Sequence, residues 1–199
     1  TTQRQSIDPA LLSFRKARPD EAAIIADLVN SGYRGDSSRQ GWTTEADLLI
    51  GKRTDAAEVQ RLIAGERAMI VLCLLEQQVI GSVYLEQTGS AAYLGLFVVN
   101  PALQGLSIGK RFLAAAERLA QREWGVTKMS MTVITLRHEL IAYYERRGYR
   151  RTGAIKPFPV AESASVPTVE NLQMGVLEKK RDDPNPKPTA ARPSRCRRA

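Results

Sequence analysis

One stretch constrains the fold more than any other: Phe97 to Trp124, which reads FVVNPALQGLSIGKRFLAAAERLAQREW. The run leading into it, Tyr93 to Val99, is apolar, β-branched and aromatic, the pattern of a buried strand. Asn100-Pro101 ends that strand with a turn. From about Gly105 the apolar residues Leu106, Phe112, Leu113, Ala116, Leu119 and Ala120 fall on one face of a helix. The turn between, Gln104 to Lys110, puts small residues at a helix start. Backbone N–H groups have no internal partner there and the helix dipole adds positive charge, so such a turn can take an anion. Lys110 and Arg111 add two cations. A plain helix start with glycine in a tight turn fits the same residues. A P-loop does not: Gly105 and Gly109-Lys110 lie one residue too close for GxxxxGK, and Arg111 stands where the Mg²⁺-binding Ser or Thr belongs. The GxGxxG dinucleotide pattern is also missing.

Length and charge set the outer bounds. The 199 residues suit one domain with a sizeable core. The net charge of +8 is unevenly placed: residues 179–199 hold eight Lys or Arg against two Asp, and the body is nearly balanced. A nucleic-acid groove on the body is therefore not expected, and any such contact would be weak and belong to the tail. Residues 1–10 read as a flexible N-terminus, 11–178 as a single domain and 179–199 as a basic, Pro-rich disordered tail. No apolar run reaches the roughly 18 residues of a membrane span, and the first ten residues lack the apolar stretch of a secretory leader. Neither Cys73 nor Cys196 has metal-ligand spacing, so the expectation is a cytoplasmic protein without a metal.

Taken in order, Leu11–Ala17 reads as a strand, and Pro19 opens a helix that Gly32 ends. Tyr33 to Leu49 is irregular, with Trp42 as its one large apolar anchor and Thr43 or Thr44 able to cap a short helix. Asp55 caps a helix over Ala56–Gly65. Ala68–Leu75, Val79–Glu86 and the strand before Asn100 predict an antiparallel meander. Lys128–Ile134 predicts a strand parallel to its predecessor, because a helix crosses over between them. A helix over Arg137–Arg147 closed by Gly148, a strand from Tyr149 and a last strand over Leu172–Leu177 complete the domain.

The turn resembles the first signature of the GNAT family of N-acetyltransferases, Q/R-x-x-G-x-G/A after a strand. Gln104, Gly105, Leu106, Ser107, Ile108 and Gly109 fill its six places, with Ser107 where glycine is usual. About forty residues on, Tyr143-Tyr144-Glu145-Arg146-Arg147-Gly148-Tyr149 resembles the family's second signature, [FL]-Y-x-x-x-G-[FY]. The resemblance covers roughly Leu12 to Leu177. It implies the GNAT fold: an α/β (α+β) domain whose mixed, mostly antiparallel sheet of six to seven strands carries helices on both faces. It implies acetyl-CoA as co-substrate, held by the loop Gln104–Gly109 with Lys110 and by Phe97, Val98 and Val99, whose N–H groups face the thioester oxygen. It implies that Tyr144 protonates the departing thiolate. Packing roles for Tyr143 and Tyr144 fit the residues alone.

Acyl transfer to an amine also needs the amine neutral. The strand Ala91–Val99 carries no acid, so Glu86, or Glu45 or Asp47, is left to act through water, and deprotonation by bulk solvent stays open. Gly95 marks a place where that strand can bulge and free N–H groups. Trp42, Glu45 and Arg53 are the candidate walls of the acceptor site. Arg34, Arg39 and Arg53 point to a carboxylate-bearing, amino-acid-like amine, since guanidinium forks suit carboxylates. The expected activity is acetyl transfer to a primary amine of a small molecule by a protein that could pair as a homodimer. A CoA-binding module of the same fold without turnover is the alternative.

Overall fold

The computed structural model describes residues 7–39, 41, 44–160 and 165–180. The expectations for Trp42, Thr43, residues 1–6 and residues 181–199 lie outside the described residues. In chain order the elements are β1 (Leu12–Lys16), α1 (Ala22–Tyr33), α2 (Gly35–Ser38), β2 (Leu49–Gly51), α3 (Ala56–Ala64), β3 (Ala68–Leu75), β4 (Gln78–Thr88), β5 (Ala91–Val99), α4 (Ile108–Trp124), β6 (Lys128–Ile134), α5 (His138–Glu145), β7 (Arg150–Pro157), β8 (Ser165–Pro167) and β9 (Gln173–Lys180). Seven strands form one mixed sheet in the order β1-β3-β4-β5-β6-β9-β7, and β2 pairs with β8 in a separate ribbon. Within the main sheet only β5 and β6 run parallel, joined by the α4 crossover that the spacing predicts.

Local chemistry explains the element boundaries. Pro19 starts a single 3₁₀ turn that leads into α1, and α1 runs through Gly32 to Tyr33. The Asp55 side chain accepts the Glu58 N–H at 2.8 Å and starts α3 where expected. α4 begins at Ile108, three residues later than the apolar spacing suggests, and ends at left-handed Gly125. Four features depart from the sequence reading or add to it. Around Glu45–Leu48 the chain makes turns and no helix, while α2 forms just upstream. The Lys156-Pro157 segment ends β7 on the sheet's outer edge, where a proline costs no ladder bond. The ribbon β2–β8 joins distant segments that are each too short to show a period. β9 runs through Lys180, two residues past the expected boundary, because Lys179 Nζ bonds the buried Glu117 at 2.7 Å.

The sheet has a core on each face. α4 and α5 cover one face, where Phe112, Leu113, Ala116 and Ala120 of α4 meet β3–β6 with almost no exposure. α1 and α3 cover the other through Ile25, Val29 and Val59. Burial of a side chain such as Phe112 or Leu113 contributes roughly 1.5–3 kcal/mol. That apolar stripe therefore sets the position of α4, and with it the loop at its N-terminus.

Candidate active site

The loop between β5 and α4 is shaped by its backbone. Gly105 has φ of +85° and Ser107, the residue before α4, has φ of +63°. Both lie in left-handed space that side chains rarely enter, so the family's usual glycine at the Ser107 position has a conformational reason. Gln104 ties the loop down, its Nε2 donating to the Val99 carbonyl at 3.1 Å. The N–H groups of Ile108, Gly109 and Lys110 then open the first turn of α4 without intrahelical partners.

Those groups face a cleft of about 230 Å³ lined by Val99, Gly105, Gly109, Lys110, Tyr143 and Arg147, among others. Arg147 of the second signature lies with its guanidinium 3.2 Å from the Tyr143 ring and donates from Nη1 to the Tyr143 carbonyl at 2.6 Å. Its Nε is buried without a hydrogen-bond partner among the described residues, and burial lowers its pKa. Lys110 makes no ion pair among the described residues. A Cβ at Gly109 would stand 2.8 Å from the Tyr143 hydroxyl, so only glycine keeps this corner open. Cations, unpaired N–H groups and a cradle that a side chain would fill together fit the pyrophosphate of acetyl-CoA.

A second cavity, about 60 Å³, adjoins the first and shares Phe97 and Leu140 with it. It lies where β5 and β6 part. The two strands pair only at Ala91↔Lys128, Ala92↔Met129 and Tyr93↔Ser130, after which β6 continues beside β9 alone. At the same level β5 bulges: Leu96 and Phe97 oppose the single residue Val83, and Leu96 takes φ of +48°. The Tyr33 hydroxyl donates to the Phe97 carbonyl at 2.7 Å and pins the bulge. Facing it are Tyr93 and Thr132, whose hydroxyls lie 3.0 Å apart, with Glu45, Arg53 and Tyr144 completing the wall. Tyr144 is buried, which raises its pKa well above that of an ordinary phenol, and the neighbouring Tyr33 and Tyr143 hydroxyls push the same way.

The residues expected from the sequence divide between these cavities. Phe97, Val99, Gln104, Gly105, Ser107, Gly109 and Lys110 line the first cleft; Ile108 is buried in the core under α4, Val98 is buried in the opposite core under α1 and α3, and Leu106 packs against the α4 core. Tyr144, Glu45 and Arg53 line the second cavity. Glu86 is not brought there. It is exposed on β4, lines a separate surface cleft beside α3, and meets the site only through Tyr93, its cross-strand partner. The bulge sits one residue past Gly95, at Leu96–Phe97. Asp47 is exposed and paired with Arg39 at 2.8 Å. Tyr33, Tyr93, Thr132, Leu140 and Arg147 were not singled out from the sequence. They come from separate elements that only the sheet topology brings together.

A helix N-terminus shaped to take an anion, next to a wedge between parting parallel strands, suits acyl transfer from a nucleotide-bearing donor. The comparisons place it more closely. The family model described as the Acetyltransferase (GNAT) family matches residues 36–149, more than half of the chain, and the chain belongs to that family. It is an acetyltransferase, with acetyl-CoA as co-substrate. Solved structures share the fold at low identity. An IAA acetyltransferase from Bacillus cereus is 16% identical, with a TM-score of 0.60 over 85% of this chain and 99% of its own. A mutant spermidine N-acetyltransferase from Vibrio cholerae is 13% identical, with 0.63 over 86% and 94%. A GNAT family acetyltransferase from Elizabethkingia anophelis with acetyl-CoA bound is 14% identical, with 0.62 over 85% and 98%. No curated protein matches the sequence. Among the described residues no helix is long and apolar enough to cross a membrane, and no cluster of His, Cys, Asp or Glu could hold a metal.

Proposed function

We propose that this protein transfers the acetyl group of acetyl-CoA to the primary amine of a small molecule. One observation carries the reading: the anion cleft at α4 and the small cavity in the strand wedge share Phe97 and Leu140 at the β5 bulge. When bound, acetyl-CoA supplies the thioester that the amine attacks. The α4 N-terminus, Lys110 and Arg147 hold the pyrophosphate and fix the depth of the arm that follows it. The parting of β5 from β6 frees backbone N–H groups near Phe97 to Val99, which stabilise charge growing on the carbonyl oxygen. Tyr144, kept protonated by burial, gives its proton to the leaving sulfur.

The amine loses its proton to water. Glu45 stands in the cavity with its Oε2 bonded by Arg34 Nη1 at 2.7 Å, a carboxylate placed to orient an ammonium. Glu86 can collect a proton only by way of the Tyr93 and Thr132 hydroxyls and intervening water.

Thiol release from acetyl-CoA against a panel of amines tests the reading, with two matched variants. Tyr144→Phe should lower kcat by about 10²-fold and leave the KM for acetyl-CoA unchanged. Tyr143 lines the cofactor cleft, so Tyr143→Phe should raise that KM and spare kcat. Full activity in Tyr144→Phe would remove the acid role. Absence of turnover with every amine, with acetyl-CoA still bound, would leave a CoA-binding module.

A further inference from the structure

Of the three arginines near the variable segment, two already have their anions. Arg39 pairs with Asp47 at 2.8 Å and Asp36 at 3.7 Å. Arg34 is buried and bonds Glu45, the Ser165 hydroxyl and the Tyr33 carbonyl. Arg53 alone lines the acceptor cavity, and no carboxylate among the described residues lies within 4.0 Å of its guanidinium. Its root is fixed, because Asn30 Oδ1 accepts the Arg53 N–H at 2.7 Å while Asn30 Nδ2 donates to the Thr54 carbonyl at 2.9 Å. The guanidinium carbon lies 5.8 Å from the Tyr33 ring centre. Arg53 is thus held at the cavity wall, half-buried, with an open fork.

The charges around it sharpen the point. Glu45 is the one acid among the described residues lining this cavity, and Arg34 pairs with it at 2.7 Å. Among the described residues the cavity therefore sets one cation without a carboxylate partner, Arg53, beside one carboxylate, Glu45, whose Oε1 has no hydrogen bond among them. An ammonium can settle against Glu45 only if its own molecule brings an anion for Arg53. A polyamine brings more positive charge and is repelled.

Resting on the acetyl-transfer reading, we infer that the acceptor is a small amino acid or similar zwitterion, with its amine beside Glu45 and its carboxylate on the Arg53 fork. A planar, bidentate fork is the geometry that a carboxylate matches. The acceptor class thus differs from that named for the spermidine enzyme of the same fold.

The test is thiol release from acetyl-CoA with the common L-amino acids, their methyl esters and spermidine as acceptors. For the best amino acid, kcat/KM should exceed that of its ester by at least about tenfold, with spermidine at background. Arg53→Gln should erase that preference, raising the KM for the acid by about tenfold or more and lowering that for the ester, while the KM for acetyl-CoA stays unchanged. Arg53→Lys, which keeps the charge and loses the fork, should fall between. Equal rates for acid and ester in the unmodified protein, a preference that survives Arg53→Gln, or spermidine as the best acceptor would each overturn the inference while acetyl transfer stood. Loss of turnover with every amine would overturn both.

Discussion

Ser107 holds backbone that few side chains tolerate, at the point where the anion loop becomes a helix. A left-handed non-glycine residue costs about 1 kcal/mol or more. Ser107→Gly should relieve that cost and raise stability by up to about 1 kcal/mol, measured by urea unfolding, with acetyl-CoA affinity kept or improved. Lower stability would mean that the serine hydroxyl makes up for the strain. Tyr144 leads to a second expectation. A phenol raised far above its usual range by burial stays protonated throughout ordinary alkaline solution. The alkaline limb that Tyr144 contributes to the kcat profile should therefore lie above pH 10, and kcat should not fall between pH 8 and 10 from this cause. A limb near pH 10 that Tyr144→Phe abolishes would show the hydroxyl to be far more solvated than its burial indicates.

Between elements, one ion pair joins β1 to the start of α1. Arg15 reaches Glu21 through both guanidinium nitrogens, at 2.6 and 2.8 Å, and the Arg18 N–H adds a bond at 2.8 Å. The Arg15 hydrogen bond, reinforced by the Arg18 N–H, lowers the Glu21 carboxyl to a pKa of about 2 against burial that pushes the other way. A depressed folded pKa gives stability that is present above the ordinary carboxylate range and lost as pH falls towards 2. Glu21→Gln should thus cost about 1–2 kcal/mol at neutral pH and close to nothing at pH 2, read from thermal melts across that range. Element boundaries also show what was legible in the sequence. β3, β6 and α3 had full periods and clear caps, and they stand where expected within a residue. The β2–β8 ribbon, the all-exposed edge strand β7 and the insertion of β9 between β6 and β7 arise from long-range pairing, which leaves little local trace. Gly95 pointed to a bulge, yet the extra residue fell at Leu96–Phe97, where Tyr33 from α1 grips the chain.

For the molecule as a whole, the site is a product of topology. The loop proposed to hold the cofactor stood out directly, because a helix start rich in small residues is written in consecutive residues. The acceptor cavity could be read only in part. Glu45 and Arg53 were recognisable as candidates, but Tyr93, Thr132, Tyr33 and Leu140 gain their meaning from the parting of β5 and β6, which no single segment encodes. For the same reason Glu86 looked like a base in the chain and stands outside the cavity in the fold. The claim on which everything else depends is that the cleft between α4 and α5 holds acetyl-CoA. Calorimetric titration of acetyl-CoA into the unmodified protein and into Gly109→Glu, each first shown to be folded by circular dichroism, tests it most directly. The new side chain would meet the Tyr143 hydroxyl and place negative charge at the proposed pyrophosphate position. The expected result is measurable binding to the unmodified protein and a loss of at least about 100-fold in the variant, equivalent to roughly 2.7 kcal/mol. Unchanged affinity in a folded Gly109→Glu protein would contradict the account, because acetyl-CoA would then bind elsewhere.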